Sequence, residues 1–400
     1  QGVIVGYAAS EPFHPEAKGV RSSDDGTLIL LETPSDEASF PHAIDNDGRI
    51  VGESGRVAFI AESGRADNLP MIEGAFSGAA RALNGSGLIV GSYGDSDFMG
   101  PQHCIWPSKD EEPILLPGLF PDVTTGSAWD INEFGQIAGV TGGSSGVFFA
   151  VRWDSPDETP IQIGPLPGAM NSEGRALNEQ GDVVGRSAFA DFTIEAFFFD
   201  AEAEDLVPLG FLPGGEGYSE AFDVNDARLV VGVSRAPEGG VHAVLWEGTK
   251  IYDLNDLIVA KDPSVREVSV ARAINEAGEI AVEVVLEGDN EEFAIFKRRI
   301  GLLVPVKEFR RGDANDDGNI DIADAVRTLT WLFAGAEEPG CRAAANTNGD
   351  GNVDIADPIH LLAYLFAGGP APEPPHSECG PPSLPADVSI GCRTSPESCL

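Results

Sequence analysis

Two stretches near the C-terminal end carry oxygen-bearing side chains at the alternating spacing that suits a hard cation. Residues 312–335 read GDANDDGNIDIADAVRTLTWLFAG and residues 345–368 read ANTNGDGNVDIADPIHLLAYLFAG, offset by 33 residues and identical at 13 of 24 positions. A calcium loop needs oxygen donors at alternate positions, a glycine to turn sharply at the sixth and a carboxylate at the twelfth. In the first loop Asp313, Asn315, Asp317, Asp321 and Asp324 stand at positions 1, 3, 5, 9 and 12. Asn319 offers its backbone carbonyl at position 7 and Gly318 is the hinge. In the second, Asn346, Asn348, Asp350, Asn352, Asp354 and Asp357 take these places around Gly351. Two calcium ions are expected. With Asn346 in place of an acid, loop 2 holds three carboxylates against four and is the weaker site, since affinity follows ligand charge.

The elements that position these loops follow from periodicity. After each loop the apolar residues switch to helical spacing: Ile322, Val326, Leu329, Leu332 and Phe333, then Ile355, Ile359, Leu362, Leu365 and Phe366. Pro358 falls in a first helical turn, where its missing N–H is not needed. One helix after each loop, and none of its own before it, resembles a dockerin type I module over 310–370. That resemblance implies a protein partner of the cohesin kind. Positions 10 and 11, usually Ser-Thr in cellulosomal dockerins, are here Ile322-Ala323 and Ile355-Ala356.

Residues 1–309 repeat one phrase. It reads HAIDNDGRIVG at 42–52, RALNGSGLIVG at 81–91, WDINEFGQIAG at 129–139, RALNEQGDVVG at 175–185, FDVNDARLVVG at 222–232 and RAINEAGEIAV at 272–282. A half copy, GVIVG, stands at 2–6. Each phrase predicts a tight β-hairpin, with glycine closing the turn at positive φ. Arg228 replaces that glycine once, so a turn that is distorted or of another type is expected there. A third strand ending in aromatics follows (RVAFI, HCIW, FFAVRW, EAFFF, HAVLW, FAIF), and a fourth precedes a Pro-Gly break. Four short strands per repeat form the unit of a β-propeller blade. The chain is therefore read as mainly β, a seven-bladed β-propeller over 1–309, then the small α-helical calcium module, then a Pro-rich, Cys-bearing tail over 371–400. If the ring closes, strand 2–7 should pair with the last blade, near 292–298 and 301–306. The phrases resemble the HAF repeat family of bacterial extracellular proteins, named for a third-strand motif that appears here as VAF, HCI, HAV and FAI. The resemblance implies secretion, to the outside of the cell or its surface, and no particular reaction.

Composition narrows the function. There are 65 acidic against 25 basic residues, a net charge of −40. No basic stripe is present to hold phosphates, so a nucleic-acid partner is excluded, and no apolar run is long enough to span a membrane. The five cysteines are Cys104 in the repeats and Cys341, Cys379, Cys392 and Cys399. The last four are expected to pair, with three connectivities open. The proline-rich tail reads as an extended spacer.

No catalytic constellation is recognisable. The six histidines (His14, His42, His103, His242, His360, His376) show no metal-helix spacing, and no Gly-x-Ser-x-Gly elbow or Cys-x-x-Cys pair occurs. Trp129, Arg175, Phe222 and Arg272 recur at one place in the phrase and are expected to be blade-packing positions, with a place facing the central channel of the propeller as the alternative. The reading is a secreted, non-enzymatic binding or scaffolding propeller attached to partners through its calcium module, with a polysaccharide as a further candidate ligand. The alternative is an extracellular polysaccharide-degrading hydrolase or lyase carrying a dockerin, and glycoside hydrolysis would need only two suitably spaced carboxylates.

Overall fold

A computed structural model describes residues 3–8, 17–23, 27–95, 100–121, 123, 125–142, 146–259, 261–288, 299–384, 387, 390–392 and 396–399. The chain forms two compact units, Gln1–Leu257 with Pro263–Leu303, and Ile258–Asp262 with Val304–Leu400. The first is a seven-bladed β-propeller. Its seven antiparallel sheets follow one another in sequence, five of them with four strands. The strands Ser39–Ile44, Ala75–Leu83, Gly126–Ile131, Asn171–Leu177, Ser219–Val224 and Val265–Ile274 each open a sheet. These opening strands adjoin one another from sheet to sheet, and no comparable contact joins the fourth strands, so the opening strands form the inner edge.

The repeated phrase is explained by a bulge. In each of the six inner strands the register shifts by one residue, at His42, Arg81, Trp129, Arg175, Phe222 and Arg272. A bulge gives a strand one residue more than its partner and re-aims that side chain. The carbonyl beside it presses on the neighbouring strand where the phrase ends. A Cβ at Gly52, Gly91, Gly139, Gly185 or Gly232 would stand 1.9 to 2.4 Å from the oxygen of Phe40, Ala79, Ser127, Glu173 or Glu220. The closing glycine is thus a close-approach residue. Gly185→Ala is expected to lower the propeller's unfolding free energy by about 1–3 kcal/mol, because the facing strand must shift; denaturant unfolding monitored by tryptophan emission checks this.

Apolar layers lie between blades rather than within them. Trp106, Trp153 and Trp246 end the third strands and are fully buried. The indole N–H groups of Trp106 and Trp153 donate to the carbonyls of Pro70 and Pro117, 2.8 Å away in each case. Trp106 packs with Val51, Ala58 and Leu69 of the preceding sheet, and Trp246 with Val184, Ala196 and Leu209 of the sheet before its own.

Three expectations need correction. At Arg228 the turn is not distorted: its N–H donates to Asn225 O at 2.9 Å, as Gly181 does to Asn178 O at 3.0 Å, and Arg228 itself takes φ 59°. Ion pairs to Asp182 (2.9 Å) and Asp200 (3.1 Å) hold it in that strained region. Second, Val5–Ala8 pairs with Lys18–Ser22 in its own sheet, and Arg299–Leu303 pairs with Ile280–Leu286. The two end sheets meet where a Cβ at Gly6 would lie 2.9 Å from Ile300 Cδ1, and among the described residues no strand pairing joins them; the expected partner at 292–298 lies outside the described residues. The third strand expected at 293–296 lies outside the described residues.

Third, the tail is not a spacer. In the second unit Arg311, fully buried, donates to the carbonyls of Asn346 (2.8 Å), Glu373 (2.9 Å) and Pro374 (3.1 Å) and pairs with Asp387 at 2.7 Å. Asp387 is equally buried and also accepts from the backbone of Ser383 and Leu384. Disulfides Cys341–Cys392 and Cys379–Cys399 fix the same segment, and Cys104 is free and buried. Proline content describes the stiffness of an isolated chain, and here long-range bonds override it. Two helices carry the repeat of this unit, Ile322–Ala334 and Ala356–Ala367, each ended by a left-handed glycine, Gly335 or Gly368.

Candidate functional sites: the inner ring and the acidic loops

Six hairpin turns form a relay along the inner edge. The turn asparagine closes its own turn: Asn178 Oδ1 accepts from Asp182 N at 2.9 Å. Its amide then reaches the next blade. Asn84 Nδ2 donates to Asn132 O (3.0 Å), Asn132 to Asn178 O (3.1 Å), Asn178 to Asn225 O (3.4 Å) and Asn225 to Asn275 O (3.2 Å). Where the phrase has Asp45 instead, Arg49 substitutes, bonding Asp45 (2.6 Å) and Asn84 O (3.0 Å). A second tier runs beside it, the N–H of Gly85, Glu133, Glu179 and Asp226 each donating to the carboxylate of Glu133, Glu179, Asp226 and Glu276 in turn. The asparagine is therefore a structural connector. Its recurrence is legible in the sequence, and its inter-blade partner is not.

The bulged residues alternate cation and aromatic around the ring. His42 Nε2 lies 2.8 Å from Arg81 Nη1, and the guanidiniums of Arg81 and Arg175 lie 5.0 and 4.8 Å from the Trp129 ring centroid. Arg272 lies 4.6 Å from Phe222. Trp129, Arg175, Phe222 and Arg272 were expected to pack in the blades or to face the central channel; Trp129 and Phe222 touch arginines of adjacent bulges, and so pack from one blade to the next. His42 and Arg81 belong to the same column and were visible in the aligned phrases. Arg175 and Arg186 share Glu173 and Glu220, with four contacts between 2.9 and 3.2 Å, and Tyr218 donates to Glu220 at 3.2 Å.

Beside the bulges, Asp130 accepts from Ile131 N and Leu177 N, and Asp223 from Val224 N and Ile274 N, each near 2.9 Å. Each carboxylate thus ties its blade to the next. Burial pushes Asp130 up to about 6, and burial reinforced by Asp130 pushes Asp223 up to about 7.

Among the histidines, His103 is fully buried, 3.2 Å from Thr141 Oγ1 and against Trp153. Burial pushes its imidazole down to about 4. The unfolded chain, titrating near 6.5, then binds more protons than the folded one between those values. Stability from this group is present above pH 6.5 and is lost as pH falls toward 4, by about 3 kcal/mol over the window. His103→Gln is expected to flatten that part of a pH series of urea unfolding curves. His242 pairs with Asp253 (2.6 Å) and Glu238 (3.2 Å), and His14 lies outside the described residues.

The acidic loops repeat one bond pattern. Asp324 is buried and its two oxygens accept from Asn315 N (3.1 Å) and Asp321 N (2.8 Å). Asp357 does the same with Asn348 N (3.2 Å) and Asp354 N (2.9 Å). Asp321 Oδ1 accepts from Ala323 N and so caps the helix that follows, and Asp354 Oδ1 accepts from Ala356 N at the start of the second helix, both at 2.7 Å. Asp317 and Asp350 accept from Asn319 N and Asn352 N at 2.8 Å. Asp313 accepts from Gly318 N (2.9 Å) and from Ser398 Oγ (3.0 Å) of the tail. Burial, reinforced by Asp313, pushes Asp324 up to about 6 against these backbone bonds.

Among the described residues no three His, Cys, Asp or Glu side chains are already gathered as a metal cage. The loops nonetheless fit a hard cation. Asn346, at position 1 of loop 2, is fully buried with both its Oδ1 and Nδ2 unpartnered. An amide oxygen left without a donor is costly unless something accepts its lone pairs.

No family model matches the sequence, and no curated protein matches it. Solved structures give distant likenesses. A TolB protein from Agrobacterium tumefaciens is 12% identical with a TM-score of 0.42, over 64% of this chain and 89% of that one. The β-propeller domain of the Trilobed protease from Pyrococcus furiosus is 12% identical with a TM-score of 0.46, over 76% and 92%. The BP39L lectin from Burkholderia pseudomallei is 12% identical with a TM-score of 0.40, over 76% and 96%. At these values the likeness adds nothing to what the sheets themselves show.

Proposed function

We propose that this is a secreted, non-enzymatic binding or scaffolding propeller, held to a cohesin-like protein partner by a dockerin-like module that binds two calcium ions. The observation that carries the reading is the doubled loop, built twice with the same buried twelfth-position carboxylate and one orphaned first-position oxygen. Asp313, Asn315, Asp317, Asp321 and Asp324, with the carbonyl of Asn319, hold one ion. Asn346, Asn348, Asp350, Asp354 and Asp357, with the carbonyl of Asn352, hold the other. The ion supplies a centre that neutralises oxygens which otherwise repel. Two disulfides in the second unit, one joining the module to the tail and one within the tail, suit an oxidising compartment, and hence the outside of the cell or its surface.

The test is product release from neutral and acidic polysaccharides by purified protein in millimolar calcium, with calcium binding measured by calorimetry on the same sample. Two bound ions and no new sugar ends are expected. New reducing ends or unsaturated sugars would replace this reading with the hydrolase or lyase, and no calcium uptake would remove the module's role.

A further inference from the structure

We infer that the C-terminal tail is a latch on loop 1, in which Ser398, brought there by the Cys379–Cys399 disulfide, positions Asp313 and so sets that loop's calcium affinity. The inference rests on the reading of the loops as calcium sites and adds how one of them is controlled. Asp313, at position 1, accepts from Asp317 N at 3.0 Å through one oxygen and from Gly318 N at 2.9 Å through the other. Ser398 Oγ lies 3.0 Å from that second oxygen and 2.8 Å from Asp316 Oδ1. Ser398 N donates to the same Asp316 oxygen at 3.0 Å. Asp316 stands at position 4, outside the ligand positions, so its carboxylate holds the tail rather than the ion.

The disulfide accounts for the approach. Cys399 follows Ser398, and its partner Cys379 precedes Gly380, which exchanges backbone hydrogen bonds with Phe309 at 3.0 and 3.1 Å. Phe309 leads into loop 1. Arg310 adds a second tie, donating to His376 O at 2.9 Å and to Gly318 O at 2.6 Å. The entry of loop 1 and the tail end that returns to it thus form one frame closed by a covalent bond. Loop 2 lacks the hydroxyl: its position 4 is Gly349, where a Cβ would meet Leu384 Cδ1 at 2.9 Å, and Asn346 has no side-chain partner. An outer hydrogen bond that fixes a ligating carboxylate is worth about 10–100-fold in metal affinity. Without the disulfide, Ser398 must be ordered anew whenever the ion binds, at an entropic cost.

The experiment titrates the oxidised, calcium-freed full chain with calcium chloride by calorimetry, the tighter of two sites being loop 1. Ser398→Ala should weaken that site about tenfold or more and leave the other unchanged. Ser398→Thr keeps the hydroxyl and should restore the affinity. Cys379→Ser with Cys399→Ser should weaken the same site at least as much as Ser398→Ala. An unchanged tight site in Ser398→Ala overturns the assignment, and so does equal weakening of both sites or a loss in Ser398→Thr as large as in Ser398→Ala. A tight site unchanged in the cysteine variant overturns the role of the disulfide. If that variant does not fold, the unsubstituted chain decides by reciprocity. Dithiothreitol is oxidised to its cyclic disulfide as Cys379–Cys399 takes two electrons and two protons to give two thiols. Saturating calcium should raise the ratio of reduced to oxidised dithiothreitol that half-opens this bond, read by mass spectrometry of trapped thiols; no rise overturns the coupling. No calcium uptake by the unsubstituted chain would remove the calcium reading itself, whereas two bound ions with Ser398→Ala unchanged would remove the latch alone.

Discussion

Arg311→Leu should remove the folded C-terminal unit as a stable species, lowering its unfolding free energy by about 3–5 kcal/mol. The guanidinium and its partner Asp387 are both fully buried, 2.7 Å apart. Truncating one side leaves the other as an uncompensated charge in a fully buried site, and that stranded charge makes up most of the loss. Four carbonyls lose a donor as well: Ala343 and Asn346 beside loop 2, and Glu373 and Pro374 in the tail. The double variant Arg311→Leu, Asp387→Leu should recover part of the loss, because an apolar pair carries no desolvation penalty. Melting of the oxidised, calcium-loaded protein checks both; a double variant as unstable as the single one would show that the carbonyl contacts, not the charge, dominate.

Calcium withdrawal should act on the same unit. A ligand held at a thousand times its dissociation constant stabilises by about 4 kcal/mol per site, comparable to the stability of so small a unit. A chelator should therefore shift the module's melting transition strongly and leave the propeller's unchanged, since no residue of the turn relay lies in the loops. Within the module, Asp324→Ala should cost more than Asn346→Ala. Asp324 ties two points of loop 1 and completes the capping box with Asp321 at the start of the following helix. Asn346 ties nothing through its side chain, so its loss should appear only as weaker calcium uptake by loop 2. Equal loss from the two substitutions in a calcium melt would refute this ranking.

The propeller was legible because its phrase encodes a hairpin and two further short strands follow it in each repeat, all local signals. The glycine's reason was not: Gly185 looks like a turn or strand breaker until the oxygen of Glu173 is seen against it. Likewise the turn asparagines announce a turn, while their second bond runs to a blade 46 to 50 residues on. The ring of bulged residues could have been read in full from one column of the aligned phrases, where His42 and Arg81 stand with the four residues singled out, but the contact of each with the next blade could not, because the bulge that re-aims them is set by pairing with the neighbouring strand. In the module the ligand positions are local and readable. Arg311 carried no signal, because nothing in FRRGD says that its partner lies 76 residues away. The disulfide connectivity was open for the same reason.

The relay has a direction. The side-chain amides of Asn84, Asn132, Asn178 and Asn225 each donate to the backbone of the following turn, and among the described residues no turn donates back by the same bond. A repeat copied in register therefore arrives with its donor facing forward and its acceptor facing back, and a deletion of one whole repeat rejoins the same two groups. Lineages can lengthen or shorten such a chain by unequal recombination without inventing a new interface. What limits the number of copies is the curvature at which the first and last sheets meet, here the contact of Gly6 with Ile300.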